Sequence, residues 1–137
     1  MPKDAGQLCL NKVVLDASAI LALLNDEPGS GKLTPELLSR ATTSAVNLAE
    51  VQTILVREGG DPDGSWALAV DPIPDVEPFT AEHARIAGTL IQETSSLGLS
   101  LGDRACLALA IALDAPVYTT DRLWKKLKLS IPIHLLR

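Results

Sequence analysis

The hydrophobic and polar positions of the chain alternate in blocks that predict short buried strands, each followed by a helix. Val13, Val14 and Leu15 are consecutive apolar residues, two of them β-branched, as is typical of a strand buried on both faces of a parallel sheet. Asp16 follows directly, and residues 19–24 form an apolar run at helical spacing. Because open α/β sheets bind ligands at the carboxyl ends of their strands, Asp16 is a candidate site residue. Asp is also a favoured N-cap, so capping explains its position equally well.

The rest of the chain continues this alternation. Further strands are predicted at 42–46, 76–79, 116–120 and 131–136. The strand at 42–46 leads directly into a helix. The strand at 76–79 contains a proline and is therefore expected at an edge of the sheet. Helices are predicted to begin after the N-caps Thr34, Asn47 and Thr80, and a nearly all-apolar helix, which should be buried, is predicted at 104–113. Residues 61–64 predict a turn, and 66–70 form an apolar segment without a clear assignment. This order predicts an α/β domain with a mostly parallel central sheet flanked by helices.

Two further predictions concern the helix after Thr80 and the two histidines. The helix after Thr80 is predicted to reach about residue 95, with a buried side formed by Ala84, Ala87, Leu90 and Ile91. His83, near its start, has no partner at metal-binding spacing and is predicted to lie at the surface, as is His134 on the last strand.

Length and composition narrow the class of protein. The 137 residues suit a single domain, with residues 1–11 expected to be loose, and the 47% hydrophobic and 21% charged residues are typical of a soluble globular chain. Aromatic residues make up only 3%, which argues against an RNA binder built on aromatic stacking platforms. The net charge of −5 excludes wholesale electrostatic attraction to nucleic acid, although a local basic patch is compatible with it.

The cysteines and the longest apolar run bear on the expected compartment. Cys9 and Cys106 provide neither a disulfide framework nor metal-ligand spacing, so a reduced, cytoplasmic protein is expected, with Cys106 in the core. The apolar run at 105–113 is far too short to span a bilayer, and no membrane association is expected.

Four acids recur at strand ends or in first helical turns: Asp16, Glu50, Asp103 and Asp121. Each has a structural explanation by itself. Glu50 suits the return arm of a capping box that begins at Asn47, and Asp103 follows Ser100 at the same spacing. In a parallel sheet, however, strand ends and the following helix starts share one edge, so the four carboxylates are expected to converge there.

Converging carboxylates repel one another and would be partly protonated unless something neutralises them, and a hard divalent cation is the natural neutraliser. Mg²⁺ and Mn²⁺ prefer oxygen ligands, whereas the scarcity of Cys and His excludes an ordinary zinc site. Carboxylate-bound Mg²⁺ suits phosphodiester hydrolysis, since it activates water and offsets the charge on the leaving oxygen.

The stretches that carry these acids, residues 14–19, 45–51, 99–110 and 117–121, resemble those of PIN-domain ribonucleases of the short, VapC-like toxin type, in the same order along the chain. The resemblance implies a PIN-like three-layer fold, and it implies catalytic and metal-binding roles for Asp16, Glu50, Asp103 and Asp121. It also implies supporting hydroxyls from Ser18 and Thr119, an Mg²⁺ or Mn²⁺ cofactor, homodimerisation, and inhibition by a small antitoxin protein. The stretch from about 62 to 78 carries no matching motif.

A basic cluster follows Asp121 and comprises Arg122, Lys125, Lys126 and Lys128. A solvated helix face explains it, and contact with an RNA backbone explains it as well, because it adjoins the expected site. Arg104, next to Asp103, is a candidate for the same role.

Three rival functions are less well supported by the sequence. A phosphatase with Asp16 as nucleophile would normally carry a second acid two residues later, where this chain has Ser18. A phosphate-accepting receiver domain needs an acceptor on a mid-chain strand and a lysine on a late one, and neither is evident. A PIN-like interaction module without activity remains open, although the four acids argue against it.

Overall fold

The centre of the fold is a five-stranded parallel sheet, seen in a computed structural model that describes residues 11–137. Its strands are β1 (Val13–Leu15), β2 (Ala41–Ser44), β3 (Asp75–Glu77), β4 (Val117–Thr119) and β5 (Ile133–Leu135), in the spatial order β3-β2-β1-β4-β5. All four neighbouring pairs are parallel, and β1 is central with every side chain buried. The predicted parallel sheet and its edge strand β3 are therefore confirmed.

Helices connect these strands. They are α1 (Ala17–Leu24), α2 (Pro35–Leu38), α3 (Ala45–Arg57), α4 (Pro62–Val70), α5 (Ala81–Thr89), α6 (Ile91–Thr94) and α7 (Leu101–Leu113), with 3-10 helices at Ser30–Lys32, Ser95–Leu97 and Arg122–Lys126. The predicted N-caps Asp16, Thr34 and Thr80 are confirmed, since each side chain accepts a hydrogen bond from a backbone N–H in the first turn. No helix of residues 11–137 combines the length and apolar character that a bilayer crossing requires.

The sheet separates two hydrophobic cores, which gives the expected three layers. One core joins Leu15 to Ile20 of α1 and to Leu48 of α3. The other joins Val14 and Val117 to α7, whose inner side chains are fully buried. Cys106 is a core residue of α7, as predicted. Cys9 lies outside the described residues, and so does all but Asn11 of the stretch 1–11.

The predicted start of α3 is wrong by three residues, because the N-cap is Ser44 and not Asn47. The strand ends at Ser44, whose hydroxyl accepts from the backbone N–H of Val46 at 3.2 Å and caps the helix. Asn47 is therefore a buried residue inside the first turn, and Glu50 is not the return arm of a capping box.

The predicted turn at 61–64 is also wrong. Asp61 is an N-cap that accepts from Gly64, and Pro62 occupies the first position of α4, which includes the unassigned segment 66–70. An Asp-Pro pair suits a helix start as well as a turn.

The predicted helix 81–95 is interrupted, and its buried side is shifted. The helical segment α5 ends at Thr89, and α6 continues from Ile91 to Thr94. His83, Ala87 and Leu90 face the core, whereas Ala84 and Ile91 are exposed. The surface prediction for His83 is therefore wrong, and its ring packs 6.4 Å from that of Phe79. His134 is exposed, as predicted.

Candidate active site

Asp16 lies at the carboxyl end of β1, where the chain turns into α1, and is only 4% exposed. Its Oδ1 accepts from the Ser18 hydroxyl at 2.7 Å and from the Ala19 backbone N–H at 2.8 Å. Its Oδ2 accepts from the Thr119 hydroxyl at 2.6 Å. Burial raises the pKa of Asp16 to about 6, and the hydrogen bonds from Thr119 and Ser18 oppose part of that increase.

The two hydroxyl groups also connect Asp16 to the end of β4. The Ser18 hydroxyl accepts from the Thr120 backbone N–H at 3.0 Å, and the Thr119 hydroxyl accepts from the Asp121 backbone N–H at 3.1 Å. The Asp121 carboxylate accepts from the Leu123 backbone N–H at 3.0 Å and so caps the 3-10 helix that follows. Asp121 is thus joined to Asp16 through Thr119.

Asp103, in the first turn of α7, lies at the same carboxyl end of the sheet as Asp16. It forms a capping box with Ser100, in which the Asp103 backbone N–H donates to the serine hydroxyl at 3.1 Å and its carboxylate accepts from the serine N–H at 3.0 Å. The predicted cap is confirmed. Its negative charge also raises the pKa of Asp16, so the two carboxylates are close enough to repel.

Glu50 is positioned by two residues that sequence reasoning missed as site residues. The buried Asn47 amide donates to Glu50 Oε1 and to the Gly102 carbonyl oxygen, both at 3.0 Å. A Cβ at Gly102 would stand 2.5 Å from both carboxylate oxygens of Glu50. The glutamate therefore lies over the first turn of α7, an arrangement for which the local sequence around Asn47 carries no signal.

The buried thiol of Cys106 is affected by the charges of three of the predicted acids. Burial raises the pKa of its thiol well above the usual range, and the charges of Asp16, Asp103 and Glu50 raise it further. These three predicted acids therefore lie within electrostatic range of the same buried thiol.

The carboxylates are nevertheless engaged in local hydrogen bonds. Asp103 bonds to Ser100, Glu50 to Asn47 and Asp121 to Leu123. Accordingly, no three His, Cys, Asp or Glu side chains of residues 11–137 stand together as a ready set of metal ligands.

The predicted basic residues make different contacts. The Arg122 and Lys125 side chains donate to carbonyl oxygens of the last strand and its end, at Arg137 and Ile133, and Lys126 is exposed. Arg104 instead extends to α5, where it donates to the Ala87 carbonyl oxygen at 2.9 Å. An open groove of about 380 Å³ adjoins Glu50 along α3 and is lined by Val46, Ala49, Glu50, Thr53, Ile54 and Arg57.

The chain matches known proteins in two comparisons, one with protein-family models and one with solved structures. Residues 13–129 match the family model described as PIN domain. Among solved structures, the DNA-bound VapBC of Salmonella typhimurium is similar with a TM-score of 0.71 and 19% identity, covering 92% of this chain and 98% of the other. VapBC2 of Rickettsia felis, bound to a promoter DNA fragment, gives 0.69 and 21%, with coverage of 88% and 96%.

A third similar structure is VapC20 of Mycobacterium tuberculosis, described as a toxin that cleaves the sarcin-ricin loop. It has a TM-score of 0.65 and 20% identity, and covers 84% of this chain and 95% of the other. No curated protein matches the chain by sequence.

Proposed function

The chain belongs to the PIN domain family, and we propose that it is a metal-dependent endoribonuclease, the toxin of a toxin–antitoxin pair. The observation that carries this proposal is the environment of Asp16. A buried carboxylate at the end of the central strand is held by two hydroxyl groups and repelled by Asp103. A divalent ion bound beside such a carboxylate would stabilise its charged form.

The residues fit Mg²⁺ or Mn²⁺ in their chemistry. Every candidate ligand is a carboxylate oxygen, which these hard cations prefer. Asp16, Glu50, Asp103 and Asp121 would hold the ion, with Asp103, Glu50 and Asp121 rotating away from the local hydrogen bonds that they now accept.

The side chains around the acids would orient the reaction. Bound Mg²⁺ supplies an activated water and stabilises the charge on the leaving oxygen of the phosphodiester. Ser18 and Thr119 fix both oxygens of Asp16, so that this carboxylate keeps one orientation. Arg122, Lys125 and Lys126 would contact the RNA backbone, and Arg104 would act mainly by fixing α7 to α5.

A protein partner is part of the proposal. The chain would be inhibited by a small antitoxin and would form a homodimer. Two of the similar structures are DNA-bound VapBC proteins. Light scattering of the chain alone, and co-purification with the product of an adjacent small reading frame, test these two assemblies.

RNA cleavage with controlled metal tests the activity. We expect a pool of structured RNAs to be cut at new internal ends with Mg²⁺ or Mn²⁺, and to remain intact with EDTA. Asp16→Asn should abolish cutting, whereas Asp63→Asn, an exposed acid in the first turn of α4, should cut like the parent chain.

The outcome also separates the rival functions. Cleavage that survives EDTA would contradict the metal mechanism. RNA binding without cleavage would favour a non-catalytic module, and a trapped phosphoenzyme at Asp16 would favour a phosphatase.

A further inference from the structure

The exposed edge of the sheet at β5 carries an ordered row of cations. The backbone N–H of Val117 donates to the Pro132 oxygen, and the backbone N–H of Leu136 donates to the Thr119 oxygen. The carbonyl groups of Ile133 and Leu135, which lie between these bonds along β5, therefore point away from β4. Lys125 donates to the Ile133 oxygen at 2.7 Å.

The other members of the row continue this pattern along the same edge. Lys32 donates to the Leu135 oxygen at 3.2 Å, and Arg122 donates to the Arg137 oxygen at 3.3 Å. Each of these carbonyl groups therefore accepts from a cationic side chain. We call Lys32, Lys125 and Arg122 the edge row.

The edge row is unusual for a chain whose net charge is −5. Lysines on an edge strand discourage pairing with another strand, and that alone is one reason for their presence. However, an ammonium group has three donors and a guanidinium has five, so each cation keeps donors free after bonding to one carbonyl. The row thus presents fixed positive charges to the solvent.

The row also leads to the candidate active site. Arg122 directly follows Asp121, and both lie at the carboxyl end of the sheet, as Asp16 does. Lys32 comes from the 3-10 helix after α1, whereas Lys125 comes from the 3-10 helix after β4. Cations from two separate segments therefore converge on one strand that ends beside the acids.

An aromatic pair lies within the row. His134, between Ile133 and Leu135, is exposed, and its ring centroid is 4.9 Å from that of Tyr118 with an interplanar angle of 31°. Tyr118 in turn packs against the buried core, which holds the pair in place. Single-stranded nucleic acids bind to such combinations of cations and an exposed ring, because phosphates meet the cations and a base stacks on the ring.

We propose that the β5 edge is the track for the single-stranded part of the RNA substrate, with the edge row on its phosphates and His134 under a base. This inference rests on the proposed function, because it takes RNA as the substrate. It adds Lys32 and His134 to the residues that would contact the substrate, and neither of them is next to one of the four acids in the sequence.

Salt-dependent binding of a fluorescent single-stranded oligoribonucleotide tests the track, with EDTA present to prevent cleavage. For single strands, the slope of log K against log salt is about −0.7 per phosphate neutralised. The double variant Lys32→Gln/Lys125→Gln should therefore flatten the slope by about 1.4. The single variant Lys128→Gln is the matched control, because it lies on the connection to the amino end of β5 and should change the slope little.

The stacking position has its own readout. His134→Ala should weaken binding about fivefold or more without a change in slope, and His134→Phe should bind like the parent chain. Melting curves confirm that each variant is folded, and Lys125→Arg, which keeps the charge, should retain the parent slope.

The result that overturns the track is an unchanged slope in the double variant, or a flattening of about 0.7 by Lys128→Gln, which is the effect expected of one edge-row lysine. The edge row would then only block strand pairing, and its loss would show as concentration-dependent association. Cleavage by the parent chain is measured separately. Binding with the expected slopes but without cleavage supports the track and contradicts the proposed nuclease, whereas cleavage with unchanged slopes does the reverse.

Discussion

The Thr119 hydroxyl donates to Asp16 Oδ2 at 2.6 Å and accepts from the Asp121 backbone N–H at 3.1 Å. One side chain on β4 therefore orients the central acid and positions the backbone of the next. This hydrogen bond lowers the pKa of Asp16 against the effect of burial. Thr119→Val should consequently raise that pKa above about 6. The pH at which activity is half lost should rise with it, whereas Thr89→Val on the surface of α5 should leave it unchanged. An unaltered pH profile in Thr119→Val would show that the hydrogen bond does not tune Asp16.

The raised pKa of Asp16 also predicts a pH-dependent stability of the metal-free protein. Between the ordinary value of 3.8 and about 6, the folded state binds more protons than the unfolded state. The contribution of Asp16 to stability is therefore fully present at low pH and is lost as the pH rises to about 6. A shift of this size corresponds to about 3 kcal/mol.

Urea unfolding in EDTA at several pH values measures this contribution. Asp16→Asn should be stabilised relative to the parent chain at pH 7, and the difference should shrink towards pH 4. A constant difference across that range would contradict the raised pKa.

Asp103 has two functions that one pair of variants can separate. Asp103→Asn keeps an oxygen that can accept from the Ser100 N–H but removes the charge that repels Asp16. In EDTA it should melt at or above the temperature of the parent chain, while RNA cleavage falls by roughly 100-fold or more. Ser100→Ala should do the opposite, losing about 1 kcal/mol of capping while it retains most of the activity. An Asp103→Asn variant that melts lower yet cleaves normally would reduce Asp103 to a helix cap.

Gly102 offers a test of the Glu50 position. An alanine Cβ there would occupy the space of the Glu50 carboxylate and force this flexible side chain away from α7, the helix that carries Asp103. We expect Gly102→Ala to fold with a free energy of unfolding within about 1 kcal/mol of the parent chain and to lose roughly 100-fold in cleavage. Gly88→Ala, on α5 with no atom within 4 Å of its Cβ, should be active and slightly stabilised. Equal activity of the two variants would show that Glu50 need not hold its place.

The sequence contains strong signals for the elements that carry the acids. The consecutive apolar residues before Asp16 have no solvent-facing position, so they identify a central strand, and Ser100 with Asp103 has the spacing of a capping box. The PIN-like topology came from the resemblance of four stretches rather than from periodicity.

Other features depend on tertiary contacts that no local pattern encodes. Asn47 looked like an N-cap, but Ser44 provides the cap, and the Asn47 amide is used to reach Gly102 on a helix distant in sequence. His83 is buried because the buried side of α5 is not the side that the apolar pattern indicated. The edge row likewise unites Lys32 with Lys125, which only the sheet order brings to one strand.

The most direct test of the central claim is calorimetric titration of the RNA-free protein with Mn²⁺. The account predicts saturable binding to the parent chain, strong loss of binding in Asp16→Asn, and unchanged binding in Asp63→Asn. It also predicts a rise in melting temperature with metal, worth about 2.7 kcal/mol at a hundredfold excess over Kd. No saturable binding to the parent chain, or equal binding to Asp16→Asn, would contradict the claim that these carboxylates form a divalent metal site.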